Sequence, residues 1–407
     1  MSAAAPAQAA SPVIDTSTAN ADYMTRSRRF PVRMPLVGGN LNGPYAVNST
    51  LNFIMGPVNN GWMDTLDIDV NIQITMTTAA ATANKGYPWN LVAAITVNLD
   101  GQISYVEPYE LYLLERVRGR LRAGVDTVLA GGQNTSLQNI VFTAPTTLAI
   151  GANNIRFRIR CPLNALHPLD GAGLLPTQGT QDPVQINIIT ATTIIGVDPW
   201  IHPATSGTGT AAVTGTSTVT VYGWVRDGRT YWSPQEQLPF YPDGLPQVSY
   251  DREPDLVNLV ANNIVRTQLT KVLRIYYMFS IIIDGQSSAQ FATNANINSW
   301  DLSADSSGNF KLRQFGLENV PMDLLFEDIR MRFGQDFPEG VIPVVFAPQD
   351  NLPMPDVGNG TNILNMMAGG WTSLYQGINL AAVGGVAGIQ PRVHTLIIGA
   401  NDSPYVG

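Results

Sequence analysis

Cysteine occurs once, at Cys161, and histidine only at His167, His202 and His394, in a chain of 407 residues. A single cysteine excludes an internal disulfide framework and any zinc site built on paired cysteines. No HExxH, CxxC, GxxxxGK or GxSxG is present, so zincin, zinc-ribbon, P-loop and serine-hydrolase readings lack their signatures. Charge is scarce too: charged residues make up 13%, about half the share of an ordinary soluble domain. Much of the surface is therefore polar without charge, or covered by other subunits. Lysine is almost missing, with 3 against 20 arginines. Guanidinium groups suit buried and interfacial ion pairs better than ammonium groups do. The net charge of −8 repels phosphate backbones, so no specific nucleic acid is expected as a partner. The sequence predicts no secretory leader, since no basic start precedes an apolar core. Its longest apolar stretch, around 275–283, is about half of what a membrane span requires.

What the chain has in abundance is strand pattern. Leu66, Ile68, Val70, Ile72, Ile74 and Met76 alternate with Asp67, Asp69, Asn71, Gln73 and Thr75. That period of two sends one face to a core and the other to water. Ile155, Phe157 and Ile159 alternate with Arg156, Arg158 and Arg160 in the same way. Further strands are predicted over 91–99, 184–195, 217–225, 271–284, 341–347 and 393–399. Asp-Gly pairs at 100–101, 170–171, 227–228, 243–244 and 284–285 supply the positive φ of tight turns. Ala204–Thr220 and Pro353–Gly370 lack periodicity and read as long loops.

Three segments have helical spacing: Tyr109–Arg122, Pro254–Arg266 and Pro321–Phe333. Each carries an acidic residue early, as the helix dipole favours, and the last two open on proline. Strands, a helix and more strands therefore occur twice in order. The pattern predicts an all-β chain of two antiparallel sandwiches or jelly rolls, each interrupted by a helix. The expected divisions are an N-terminal arm over 1–35, a first roll over 36–245, and a second roll with the C-terminal segment over 246–407. The first twenty residues have little to bury, and a basic run, Arg26, Arg28, Arg29 and Arg33, follows them. This arm is expected to be extended and ordered by contact with something else, or else simply frayed.

The candidate sites are few. Arg156, Arg158 and Arg160 share one strand face and form a candidate intersubunit salt-bridge row. An intersubunit or interdomain row is favoured over nucleic-acid binding because no aromatic side chains interleave there, and a plain exposed face stays open. Asp67 and Asp69 read as the polar side of a strand rather than a glycosidase pair. Glu253 and Asp255 read as first-turn helix residues, and Glu327 and Asp328 as a solvated or intersubunit helix face. No catalytic, cofactor or metal residue is nominated. The dispersed tryptophans form no stacking platform.

Asp336-Phe337-Pro338-Glu339-Gly340-Val341, directly after the helix bearing Arg330 and Arg332, resembles the second jelly roll of tectivirus major capsid proteins. Val272–Ile283, ending at Asp284-Gly285, falls where that family has the long first strand of the domain. Arg160-Cys161-Pro162-Leu163-Asn164-Ala165, then Leu169-Asp170-Gly171-Ala172 and Gln185–Ile189, look like its strand-to-loop passage and next strand. The N-terminus departs from the family's Gln/Ala-rich helical start, since Pro6 and Pro12 oppose a helix. The resemblance implies two eight-stranded jelly rolls side by side and a pseudo-hexagonal homotrimer. It also implies an icosahedral shell of a tailless virus over an internal membrane. Neighbouring capsomers and vertex (penton or spike) proteins would be partners, the arm would face the membrane, and assembly would occur in the host cytoplasm. The competing expectation is a β-sandwich receptor- or carbohydrate-binding spike protein.

Overall fold

The fold was established from a computed structural model. It describes residues 22–56, 61–99, 102–117, 133–135, 141–143, 145, 147–163, 174–177, 184–196, 208–229, 236–239, 247–269, 274–286, 291–308, 320–333, 337–345, 364–365 and 374–401. The first roll contains β1 (Arg28–Met34), β2 (Thr50–Met55), β3 (Gly61–Met76), β4 (Val92–Leu99), β5 (Gln102–Val106), helix α1 (Pro108–Val117), β6 (Gly151–Pro162), β7 (Val184–Thr190) and β8 (Thr218–Asp227). The second contains β9 (Gln247–Arg252), β10 (Ile264–Leu269), β11 (Arg274–Ile283), β12 (Ile297–Ser303), β13 (Val320–Pro321), α2 (Met322–Phe333), β14 (Val341–Val345), β15 (Leu374–Leu380) and β16 (Arg392–Asn401). Very short strands, such as Gln133–Thr135 and Val141–Thr143, extend the edge beyond β6.

The topology repeats. The first roll pairs β1-β8-β3-β6 in one sheet and β2-β7-β4-β5 in the other. The second pairs β9-β16-β11-β14 and β10-β15-β12-β13. Every strand of the first roll thus has its counterpart eight strands later, and α1 and α2 occupy the same slot. The pairings are antiparallel, and each roll is an eight-stranded jelly roll.

Alternation explains the first roll. β3 turns Leu66, Ile68, Val70, Ile72, Ile74 and Met76 into its core, where β6 adds Ile155, Phe157 and Ile159 and β8 adds Val219 and Val221. β11 follows a different rule. Met278 and Ile282 enter the second roll's own core. Tyr277, Phe279, Ile281 and Ile283 join a cluster continuous with the first roll's core, together with Leu396 and Ile398 of β16. A strand covered on both faces reads as an unbroken apolar run, and that is why 275–283 shows no alternation.

Two expectations are corrected. The predicted helix Pro254–Arg266 does not form. Asn258 and Asn262 adopt positive φ of 63° and 56°, and Leu256 exchanges two backbone hydrogen bonds of 2.9 Å with Val393. Left-handed residues and tertiary pairing override the amphipathic spacing there, and Ile264 opens β10. The basic run is not a free arm either. Residues 22–26 form a helical turn, and Arg28–Met34 is strand β1, paired along its length with β8. Phe30, Val32 and Met34 point inward, so this segment has an apolar face to bury. The first 21 residues, the helix end over 118–122, the Asp-Gly turns at 100–101, 170–171 and 243–244, and Leu169–Ala172 lie outside the described residues.

Candidate functional site

The two arginine clusters seen separately in sequence share one surface. β1, β8, β3 and β6 are neighbours, so Arg29 and Arg33 of β1 stand on the same outer sheet face as Arg156, Arg158 and Arg160 of β6. In register, Arg33 lies opposite Tyr222, Tyr222 opposite Asp67, and Asp67 opposite Arg160.

Three aspartates organise this face. The β8–β3 register shifts so that Trp224 faces Thr65 and Val225 faces Met63. Asp64 is the extra residue of that bulge. Arg29 donates from Nε to Asp64 Oδ2 at 2.8 Å and from an NH2 group to Oδ1 at 2.9 Å. Arg226 Nε donates to the same carboxylate at 2.8 Å. The Arg29 guanidinium also stacks on Trp224, 4.3 Å from the ring centroid, a cation–π contact. Asp67 accepts from Arg160 Nε at 2.9 Å and from Trp224 Nε1 at 2.8 Å. Asp69 accepts from Arg156 at 2.8 Å. Those hydrogen bonds and the Asp69 charge hold the Arg156 pKa above its ordinary value.

Arg156 and Arg160 of the expected intersubunit row pair instead with Asp69 and Asp67 of the same chain. Arg158 faces Asp69 across the ladder, but Arg156 holds that carboxylate. Arg33 donates to Asn42 Oδ1 at 2.5 Å. Arg26 pairs with Asp22 at 2.8 Å on the exposed helical turn, and Arg28 is exposed at the start of β1. Six arginines (29, 33, 156, 158, 160 and 226) stand against Asp64, Asp67 and Asp69. This face is basic on an acidic chain.

A second charged cluster, which sequence reasoning missed, ties the rolls together. His394 of β16 is fully buried; its Nε2 lies 2.9 Å from Glu107 Oε2 and its Nδ1 lies 2.7 Å from Asp255 Oδ1. Glu107 sits between β5 and α1 of the first roll, and Asp255 follows β9. Arg252 reaches both carboxylates at 3.3 Å, and Arg392 lies 3.4 Å from Asp255. Burial alone would push the imidazole pKa down. The Glu107 charge and the bonds to both carboxylates outweigh it, so the net shift is upward. Both ring nitrogens are engaged and no solvent reaches them, so the imidazole is an interdomain tie rather than a proton shuttle. The sequence showed neither group near the other.

No protein-family model and no curated protein matches the sequence. Solved structures do match. The STIV MCP crystal structure aligns over 92% of this chain and 96% of its own, with TM-score 0.57 and 12% identity. A chain from the atomic structure of Sulfolobus Turreted Icosahedral Virus aligns over 92% of this chain and 90% of its own, with TM-score 0.58 and 13% identity. A chain of the PBCV-1 virus capsid aligns over 94% of this chain and 96% of its own, with TM-score 0.58 and 12% identity. At such low identity the likeness establishes the fold: this chain is a double jelly roll over nearly its whole length.

Proposed function

We propose that this chain is a major capsid protein whose homotrimers form pseudo-hexagonal capsomers of a tailless icosahedral virus with an internal membrane. One observation carries the reading: two topologically identical rolls stand in tandem, in a fold shared with virus capsid chains. A ring of three such chains presents six near-equivalent lobes, an outline that tiles a shell by contacts between like edges. The low charge and the arginine bias support a molecule covered on several flanks. Its role is structural, and the buried carboxylates of Asp64, Asp67 and Glu107 serve it by holding guanidinium and imidazole groups.

Neighbouring capsomers and vertex proteins would cover the remaining edges in the virion. The first 21 residues, with the exposed Arg26 following them, would reach inward to the phosphates of the membrane or to the next capsomer. Light scattering and electron microscopy of the purified chain are expected to show trimers, sheets or shells. A stable monomer at all concentrations would refute the proposal. Deleting residues 1–21, which leaves the buried Tyr23 and Met24 and all of β1 in place, is expected to give soluble trimers that fail to form particles.

A further inference from the structure

The seam between the rolls holds a cavity beside the charged tie. A space of 160 Å³ lies among β4, β5, the start of α1 and β9. Val92, Pro108, Tyr105 and Tyr109 form its apolar and aromatic walls, and Glu107 and Arg252 its charged ones. Arg252 comes from the second roll and the other five from the first. Tyr109 is 2% exposed and Tyr105 is 40% exposed, so the walls run from a buried end to an opening. A cavity of about 150 Å³ takes one benzene-sized ring.

Glu107 is the wall group left incomplete. It is buried, and its Oε2 is held by His394 Nε2 at 2.9 Å. Its Oε1 is buried too and accepts no hydrogen bond among the described residues. Arg252 Nη1 stands 3.3 Å from that oxygen, near enough for charge but without bonding geometry. A buried acceptor left without a donor costs the folded state its full desolvation. His394 and Arg252 already stand against the Glu107 charge, so what is missing is a donor and not a further cation. Arg252 has donors to give. Its guanidinium carries five N–H groups, and its contacts to Glu107 and Asp255 are both long, at 3.3 Å.

We propose that this cavity binds a small, neutral, planar cyclic amide, whose N–H donates to Glu107 Oε1 while the adjacent carbonyl accepts from Arg252. A lone cation would be repelled by Arg252 and a lone anion by Glu107, whereas an N–H beside a C=O satisfies both groups without adding charge. The flat faces of such a ring suit the Tyr105 and Tyr109 side chains, and a single ring matches the volume. The occupied site touches both rolls, so the ligand favours the docked, folded chain and raises its melting temperature. The site lies within one chain and stands whether or not the assembly reading holds.

The test uses the full chain and two probes of one shape: α-pyridone, and α-pyrone, in which a ring oxygen replaces the N–H. α-Pyridone is expected to bind saturably in titration calorimetry, in the millimolar range or tighter, and to raise the melting temperature as its concentration rises. α-Pyrone lacks the donor to a charged acceptor and should bind about tenfold more weakly or worse. Ala93 is exposed and lines the cavity, so A93F should fill the opening. That variant is expected to lose α-pyridone binding and to melt, without ligand, where the unaltered chain does. Should A93F fail to fold, the comparison of the two probes on the unaltered chain decides alone. Equal affinity for the two probes would overturn the proposal, since Glu107 would then take no part. α-Pyridone binding that A93F leaves unchanged would overturn it by placing the ring elsewhere. The absence of saturable binding would reject it and leave the cavity to water.

Discussion

Glu107 and His394 are separated by 287 residues of sequence and by 2.9 Å in space. They lie on different jelly rolls, so the contact exists only when the rolls are docked. Asp255 fixes the other ring nitrogen, and Arg252 and Arg392 stand by the carboxylates. Glu110 of α1 lies within reach of the charges of both Glu107 and Asp251 of β9.

This cluster makes stability depend on pH. The His394 pKa is raised above its unfolded value, so its contribution is fully present below about pH 6.5 and fades as pH climbs through the folded pKa. Glu110 acts in the same direction. Burial, then the Glu107 and Asp251 charges, lift its carboxyl well above the usual range, so ionising it at higher pH costs the folded state. Asp255 acts on the other side. Burial opposes its ionisation, but the His394 bond and the surrounding cations prevail and lower its pKa, so its contribution is lost as pH falls below the usual carboxylate range. Thermal unfolding is expected to show maximal stability in mildly acidic buffer and a decline into alkaline buffer. In H394Q that alkaline decline should shrink, and the variant should lose about 3 kcal/mol in mild acid from the uncompensated Glu107. A pH slope identical to that of the unaltered chain would reject the role assigned to His394.

Asp67 and Asp69 alternate along β3, and both accept from arginines of β6, yet they should differ in weight. Asp67 is buried beneath Arg160 and Trp224. Replacing it with alanine removes the acceptor of an indole N–H and one carboxylate of the Arg160 guanidinium, at a cost of about 2–3 kcal/mol. Arg156 is nearly half exposed, so solvent screens its pair with Asp69, and R156A should cost under about 1 kcal/mol. Urea midpoints of D67A and R156A decide this, and equal losses would contradict the burial argument.

The sequence made the sheets legible where one face meets water. Leu66–Met76 and Ile155–Arg160 alternate because their outer faces carry charge, and both runs lie within strands as expected. The long strand β11 was legible as a strand but not in its environment. Tyr277, Phe279, Ile281 and Ile283 look like core residues in sequence, and only the docked first roll shows which core they join. The segment 254–266 misled because helical spacing of Leu256, Leu259, Val260 and Ile264 cannot reveal positive φ at Asn258 and Asn262. β1 was hidden by its arginines, although Phe30, Val32 and Met34 carry the inward period of two. The tie between Glu107 and His394 left no local signal, since its members come from opposite ends of the chain. The Arg33–Tyr222–Asp67–Arg160 row was hidden for the same reason, because strand order cannot be read from any one strand.

Gly340 closes the Phe337-Pro338-Glu339-Gly340 turn at φ +77°. A Cβ there would stand 2.6 Å from the Ala292 carbonyl oxygen and 2.8 Å from Phe291 Cβ. Both the backbone conformation and the space therefore demand glycine. G340A is expected to lose about 1–3 kcal/mol and to perturb β14, whose first residue follows directly. A chemical denaturation midpoint equal to that of the unaltered chain would show that the turn relaxes without strain.

The cluster shared by the two rolls predicts how the chain unfolds. Phe279, Ile281, Ile283, Leu396 and Ile398 are buried by the first roll rather than by their own, so neither half keeps its cover alone. The intact chain should therefore melt in one calorimetric transition, with van't Hoff and calorimetric enthalpies in agreement. F279A should lower that single transition by about 3–5 kcal/mol of stability without splitting it. Residues 246–407 expressed alone should expose an apolar sheet face larger than soluble monomers tolerate, bind a hydrophobic dye and aggregate. Two well-separated transitions in the intact chain, or a soluble and dye-silent second roll, would mean that the rolls are independent domains and that the seam contributes little to their stability.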